Sequence, residues 1–263
     1  MEWLHRLLFT VYKALPGVLV RILGPIARSR SGHDSSFLDR LSISYSDAVR
    51  GMGEAHWERK VETFGLVGHG RVLDLGCGPG QWLEPLARHN AVVVGLDVDP
   101  TLLEIARKIA DPERRARLVL GRAESLCFRG AVFDAALCYA VLMYTDYGVT
   151  LREIWRVLRP GGKLIIGLVG LGYYLKHVVD GLRHERAEAV RYGIEPIATT
   201  LGQALLGRRS QATTFWTRRA ISRVLAQHGF DVIRVWSDPY DPLWPTSYAG
   251  SYFYFCVEAR KRL

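Results

Sequence analysis

The sequence lacks several features that would place it quickly. Its four cysteines, Cys77, Cys127, Cys138 and Cys256, form no CxxC pair, and most sit inside apolar stretches. That excludes a disulfide framework and gives zinc or an iron–sulfur cluster no basis, so the expectation is reduced thiols, a cytoplasmic chain and no bound metal. No internal repeat is visible. With 49% hydrophobic and 23% charged residues the composition is that of an ordinary globular protein, which excludes disorder and fibrous structure. No uninterrupted apolar run approaches the roughly 20 residues that a membrane span requires. In the N-terminal stretch "MEWLHRLLFTVYKALPGVLVRILGPIARSR", Lys13 breaks the apolar pattern, Glu2 occupies what would be the positive end of a signal peptide, and no small-residue cleavage site follows. Acidic side chains are also in deficit, 26 against 35 basic ones, for a formal net charge of +9. Such a balance suits nucleic acid, an anionic membrane face or an acidic substrate without choosing among them.

What the N-terminal stretch does have is helical periodicity. Leu4, Leu7, Leu8, Val11, Leu15, Val18, Leu19 and Ile22 share one face, opposite Arg6, Thr10, Lys13, Gly17 and Arg21, with a kink expected at Pro16. The stripe suits either packing against the core or a second subunit, or lying on an anionic surface as a peripheral element at the inner membrane face. "SRSGHDSS", residues 29–36, reads as a linker. The division is therefore an amphipathic segment and linker over 1–34 and a catalytic-size domain over 35–263, long enough to bury its own core.

Within that domain β-rich runs alternate with helical patterns. Val72–Leu75, Val92–Leu96, Ala116–Leu120, Phe133–Leu137 and Lys163–Leu168 are candidate strands, hydrophobic without alternation as in a parallel sheet covered on both faces. Helices are expected over Gln81–His89, Pro100–Ala110, with Asp99 as its cap, and Thr150–Leu158, the last stopped by Arg159-Pro160-Gly161-Gly162. The fold class is therefore α/β, a doubly wound sheet. The last strands are Phe230–Trp236 and Ser251–Ala259, preceded by a helix that Thr217 caps and His228-Gly229 ends. Residues 168–214 form a helical insertion after the fifth strand, with one helix from about Leu171 to Leu182 and another following Pro196 through Leu206; its place above the sheet's carboxyl edge is read as a substrate lid, the alternative being a subdomain that only packs.

The densest chemical signal is "RVLDLGCGPGQW", residues 71–82, with Gly76, Gly78 and Gly80 at alternate positions after Asp74. Glycines there turn the chain at positive φ and admit a ligand to the backbone at a helix N-terminus, although a tight turn with helix packing needs them as well. Asp97 ends the second strand 17 residues after Gly80, where a carboxylate can accept ribose hydroxyls.

Together with "GLDVDP", "GRAESLCF", "FDAALCYAVL" and "EIWRVLRPGGKLII" in that order, the segment resembles the class I S-adenosylmethionine-dependent methyltransferases over residues 64–167, and again in "FWTRRAISRVLAQHGF", residues 215–230. The resemblance implies a Rossmann-like, seven-stranded sheet, parallel except for a C-terminal antiparallel strand, and S-adenosylmethionine as cofactor. Asp74, Gly76, Gly78 and Gly80 would hold its amino-acid end and Asp97 its ribose. Ala123 and Glu124 would lie around the adenine, and Cys138 and Tyr139 beside the methyl group. Where the family commonly has Gly-Asp the chain has Gly121-Arg122, so Arg122 is expected to face water and a backbone group to meet the adenine. "CYAVLMY" lacks the Asn/Asp-Pro-Pro-aromatic sequence of amino-methylating enzymes, and no Pro-Cys pair is present; both lower the case for nucleic-acid bases. The acceptor is then expected to be a small molecule or a glycan- or lipid-linked intermediate, methylated at oxygen. The alternatives are an RNA methyltransferase, supported only by charge, and a nicotinamide oxidoreductase or catalytically silent cofactor-binding protein.

At the start of the insertion Tyr173 and Tyr174 are candidate substrate contacts and His177 a candidate base, since an imidazole titrates near neutrality. A packed or solvated histidine is the plainer reading of His177. The charged run "RHERAE" reads as a wet helix face, Arg208, Arg209, Arg218 and Arg219 as a surface or an anion contact, and Trp244 and Tyr248 as loop packing or acceptor contacts.

Overall fold

The computed structural model describes residues 53–109, 116–206, 215–237 and 246–263. The expectations for the amphipathic N-terminal segment, for Arg208 and Arg209 and for Trp244 fall outside these residues. The elements run α1 (Glu54–Thr63), β1 (Arg71–Leu75), α2 (Leu83–His89), β2 (Val92–Asp97), α3 (Pro100–Ile109), β3 (Ala116–Leu120), β4 (Phe133–Tyr139), α4 (Tyr147–Val157) and β5 (Leu158–Val169). They continue with α5 (Leu171–Arg183), α6 (Ala187–Leu206), α7 (Arg218–Gln227), β6 (Phe230–Ser237), β7 (Ser247–Tyr248), β8 (Ser251–Tyr252) and β9 (Tyr254–Lys261).

Seven strands form one sheet in the order β3-β2-β1-β4-β5-β9-β6, and β7 and β8 form a separate ribbon. β1 to β5 pair in parallel, while β9 is antiparallel to both β5 and β6 and is the one reversed strand of the sheet. This is the doubly wound architecture anticipated above, with helices α5 and α6 inserted after β5. The order reverses between β1 and β4, the place where such sheets hold ligands at their carboxyl ends.

Apolar residues cover both faces, which explains the unbroken hydrophobic strands. On one face Leu73, Leu75, Ala136, Cys138, Leu164 and Ile166 pack with Leu151, Ile154 and Val157 of α4 and Ile221 and Leu225 of α7. On the other Val72, Val93, Ala135, Leu137 and Ile165 meet Trp57 and Val61 of α1, Leu83 and Leu86 of α2 and Leu103 and Ala106 of α3. Each fully buried aliphatic side chain there contributes roughly 1.5–3 kcal/mol relative to an exposed one.

Local chemistry sets the ends. Asp99 accepts from the Thr101 N–H at 2.8 Å ahead of Pro100, and Thr217 accepts from the Ala220 N–H at 3.2 Å, as their sequence positions suggested. Gly229, at φ 81°, follows the His228 cap of α7. Several boundaries differ from expectation, among them the start of β5 at Leu158 rather than Lys163. α2 begins at Leu83 rather than Gln81, since Gly80 N–H bonds back to Cys77 and prolongs the loop. α4 begins at Tyr147, not Thr150, because Asp146 caps it by accepting from Gly148 and Val149 N–H at 3.0 and 3.1 Å. α6 runs through Pro196 from Ala187 instead of starting after it. The Ser251–Ala259 run divides at Phe253, whose carbonyl accepts from Gly170 N–H and whose N–H donates to Thr246, leaving β8 to pair with β7. The "RHERAE" run is exposed as expected, but it comprises the α5–α6 turn, with Glu185 at φ 52°, and the helix ends that flank it, Arg183 and Ala187–Glu188.

Candidate functional site

The loop after β1 folds against β2, with the N–H groups of Gly76 and Cys77 both donating to the Leu96 carbonyl, at 2.7 and 3.1 Å. Its three glycines have φ of 71°, 51° and 94°, but they are required for different reasons. A Cβ on Gly76 would lie 2.2 Å from Val141 Cγ2, and one on Gly80 3.0 Å from Ala106 Cβ, so the protein's own packing demands both. A Cβ on Gly78 would meet only Gln81 Oε1, at 3.9 Å. Space beside an exposed stretch of positive-φ backbone is a cradle that a ligand can fill.

Two carboxylates flank that cradle. Asp97 Oδ2 accepts from Gly78 N–H at 2.8 Å and Oδ1 from Asp99 N–H at 3.0 Å, which ties the glycine loop to the end of β2 and leaves lone pairs on both oxygens for hydroxyl donors. Asp74 is buried, and its Oδ2 finds no hydrogen-bond donor among the described residues. Burial, reinforced by the charge of Asp97, pushes its carboxyl up to about 8. An orphaned buried carboxyl beside an open backbone cradle fits the ammonium of an amino-acid ligand, which would restore the ionised form.

Opposite, Cys138 is packed in the α4 and α7 core with its thiol pushed up to about 12 by burial, and is therefore chemically inert. Tyr139 faces the other way and lies flat on β5, where a Cβ at Gly167 would come within 2.3 Å of its ring. Its hydroxyl accepts from Lys60 Nζ at 3.4 Å, and that ammonium stands 5.3 Å from the ring centres of both Trp57 and Tyr139. Lys60 was not singled out in the sequence, although Trp57, Lys60, Val61 and Phe64 follow helical spacing toward the core.

In the loop after β3 Ala123 is buried, and Glu124 accepts from Asp146 N–H at 3.3 Å. Glu153 and Arg156 of α4 hold that loop by bonding Leu126 N–H and the carbonyls of Leu126 and Phe128. The Arg122 side chain is 69% exposed, 3.7 Å from Glu124, so the residue that replaces the usual acid does face water. Val98 and Leu120 are exposed at the carboxyl ends of β2 and β3.

The insertion adds an aromatic layer at the carboxyl ends of β4 and β5. Tyr173 and Tyr174 are buried with Met143, Val169 and Phe253, and Tyr192, Phe215, Tyr248 and Tyr254 pack against them. His177 stands 4.5 Å from the Tyr173 ring centre and 5.1 Å from that of Tyr192. Burial lowers its pKa, as does Lys176, against the opposing pull of Asp180, so the ring is neutral at pH 7. The three candidates from the sequence thus come together, joined by Tyr144 and Tyr192, which sequence reading missed. Tyr144 follows the β4 motif and Tyr192 lies one residue before Gly193, where a missing side chain lets α6 touch α5. Among the described residues no group of three His, Cys, Asp or Glu is placed to hold a metal ion.

Known proteins match this arrangement. The family described as "Methyltransferase domain" matches residues 73–166. A demethylmenaquinone methyltransferase of Deinococcus radiodurans is 32% identical over 165 residues, covering 56% of this chain and 68% of that protein. A ubiquinone biosynthesis O-methyltransferase of Azorhizobium caulinodans is 38% identical over 98 residues, 36% of this chain and 39% of that protein. The crystal structure of an S-adenosylmethionine-dependent methyltransferase from Mesorhizobium loti shares the fold at a TM-score of 0.54 and 20% identity, over 74% of this chain and 92% of that one. The glycine loop therefore serves no nicotinamide oxidoreductase: the chain belongs to the class I S-adenosylmethionine-dependent methyltransferases, with S-adenosylmethionine as its cofactor.

Proposed function

We propose that this methyltransferase acts on an oxygen of a small-molecule acceptor, free or carried on a lipid or glycan, bound beneath α5 and α6. One observation carries the reading: the insertion brings a neutral imidazole, His177, and several phenols to the carboxyl ends of β4 and β5, next to the turn where the cofactor cradle lies. Asp74 and the Gly78 backbone are assigned to the cofactor's amino-acid end, Asp97 to its ribose, and the Ala123–Glu124 loop with exposed Val98 to its adenine. The cofactor supplies an electrophilic methyl group. The protein's part is to align an acceptor hydroxyl with it and to remove the proton. His177 is assigned that proton: its neutral imidazole would take it from the acceptor hydroxyl, becoming imidazolium, and later return it to solvent.

The relatives support a small acceptor, since their names refer to menaquinone and ubiquinone biosynthesis. Those names do not choose the atom, because one further relative is named a C-methyltransferase. Oxygen is favoured by the unprotonated base beside phenols. The test is transfer of labelled methyl into lipid, glycan, small-molecule and RNA fractions, followed by the pH dependence of the rate on the acceptor found. Label in the small-molecule or lipid pool, with an acidic limb that His177→Ala removes, is the expected result. Label confined to RNA, or an identical pH profile in the variant, would overturn the assignment.

A further inference from the structure

The tyrosines of the insertion do more than fill space. Tyr173 and Tyr192 hydroxyls approach to 3.4 Å. The Tyr144 hydroxyl is turned inward and bonds that of Tyr192, while the residue as a whole is 59% exposed and so lies at the edge of the cluster. Tyr174, wholly buried in the same cluster, has a hydroxyl with no hydrogen-bond partner among the described residues. A phenol O–H aimed into a protein interior and left unanswered is rare, because its desolvation is uncompensated unless something binds there. Tyr144 and Tyr192 lie close enough to Tyr174 to act on it electrostatically, so these hydroxyls share one region. Burial raises all four phenols away from ionisation, so they meet a ligand as neutral donors and acceptors. The nearby Lys176 ammonium is turned to Asp180 on its own helix. Phe253 and the tyrosine rings supply flat apolar walls.

We infer that the Tyr144, Tyr173, Tyr174 and Tyr192 array is an acceptor-recognition site for an uncharged ring that carries a second oxygen substituent, which takes the unanswered hydrogen bond of Tyr174. This rests on the reading that the acceptor binds beneath α5 and α6. A phosphorylated or otherwise anionic acceptor would be stripped of water among phenols and is disfavoured. A ring with two oxygens can present one to the methyl group and the other to the array, and the aromatic walls prefer a flat partner.

The full chain, saturated with S-adenosylhomocysteine, can be titrated with catechol and with phenyl phosphate by ligand-detected magnetic resonance. Catechol is expected to bind at least tenfold more tightly than phenyl phosphate. Tyr174→Phe should weaken catechol at least fivefold and leave S-adenosylhomocysteine affinity within twofold; Tyr192→Phe, which removes a neighbouring hydroxyl, should act in the same direction. Were Tyr174 only a packing residue, the phenylalanine variant would melt at the same or a higher temperature and bind catechol as the wild type does. That result, an absence of catechol binding, or equal binding of phenyl phosphate would overturn the inference. An unchanged pH profile in His177→Ala would remove His177 as the base while leaving the binding results intact, so the two readings fail separately.

Discussion

Asp74 is the residue whose state depends most on the cofactor. With its carboxyl pushed up to about 8, only about a tenth of the cofactor-free protein carries the charge there at pH 7. Pairing with an ammonium requires the ionised form, so binding must release up to one proton. Calorimetric titrations with S-adenosylhomocysteine at pH 7 in buffers of different ionisation enthalpy should reveal that release, and affinity should rise by up to about tenfold per pH unit from 6 towards 8. The same group acts on stability with the opposite slope. Between pH 3.8 and about 8 the folded protein keeps a proton that the unfolded chain has lost, so Asp74 makes the cofactor-free fold less stable as pH rises through that window and adds no further change above it. Asp74→Asn should flatten that slope, which is about 1.4 kcal/mol per pH unit for one proton, and cost at least tenfold in affinity. An unshifted affinity across pH 6 to 8 would show that Asp74 is not the ammonium's partner. The sequence made Asp74, Asp97 and the loop legible because glycine and acid at fixed spacing have few other uses. It did not distinguish Gly78 from Gly76 and Gly80, since only the packing of Val141 and Ala106 tells which glycine faces a ligand.

At the scale of elements, the strands of the sheet were readable because unbroken apolar runs of strand length, bounded by turn and cap residues, mark strands buried on both faces. The missed features depend on neighbours distant in sequence. The start of α4 hangs on Asp146, an acid in a motif that also reads as loop, and the continuity of α6 through Pro196 depends on its packing along α5. Tyr144 and Tyr192 escaped notice for the same reason, because 48 residues of chain separate two hydroxyls that meet only when α6 docks. That docking gives a direct test. A Cβ on Gly193 would lie 2.6 Å from both the Tyr174 carbonyl and Val178 Cγ2, so Gly193→Val should force the helices apart at a cost of about 1–3 kcal/mol. Catechol binding should be lost while S-adenosylhomocysteine still binds. A Cβ on Gly202 of the same helix would meet nothing within 4 Å, and Gly202→Ala should instead stabilise by about 0.5–1 kcal/mol through helix propensity. Retained catechol affinity in a folded Gly193→Val protein would show that α6 is not part of the acceptor site.

For the whole molecule, the net charge of +9 needs an account that the catalytic fold does not supply. Several basic groups of the described residues are engaged with acids: Arg156 with Glu153, Arg159 with Asp134, Lys163 and Arg234 with Glu258, and Arg262 with Asp231. The first 30 residues are different in sequence, with Arg6, Lys13, Arg21, Arg28 and Arg30 opposed by Glu2 alone, so nearly half of the net charge belongs there. In this segment Lys13 interrupts the apolar pattern short of the roughly 20 residues that a span requires, so surface attachment is the expected way for it to meet a bilayer. Each basic side chain near an anionic surface contributes about 1 kcal/mol, so five of them together with the leucine stripe are expected to favour binding. The full chain should therefore cosediment with phosphatidylserine-containing vesicles and not with purely phosphatidylcholine ones. It should leave them as salt is raised towards 1 M, where screening acts within about 3 Å. A chain beginning at Ser31 should remain in the supernatant while binding S-adenosylhomocysteine normally. Equal binding to both kinds of vesicle would point to the apolar stripe alone. Loss of cofactor affinity in the shortened chain would instead place the segment against the core, and the positive charge would then have to be explained by an anionic partner other than lipid.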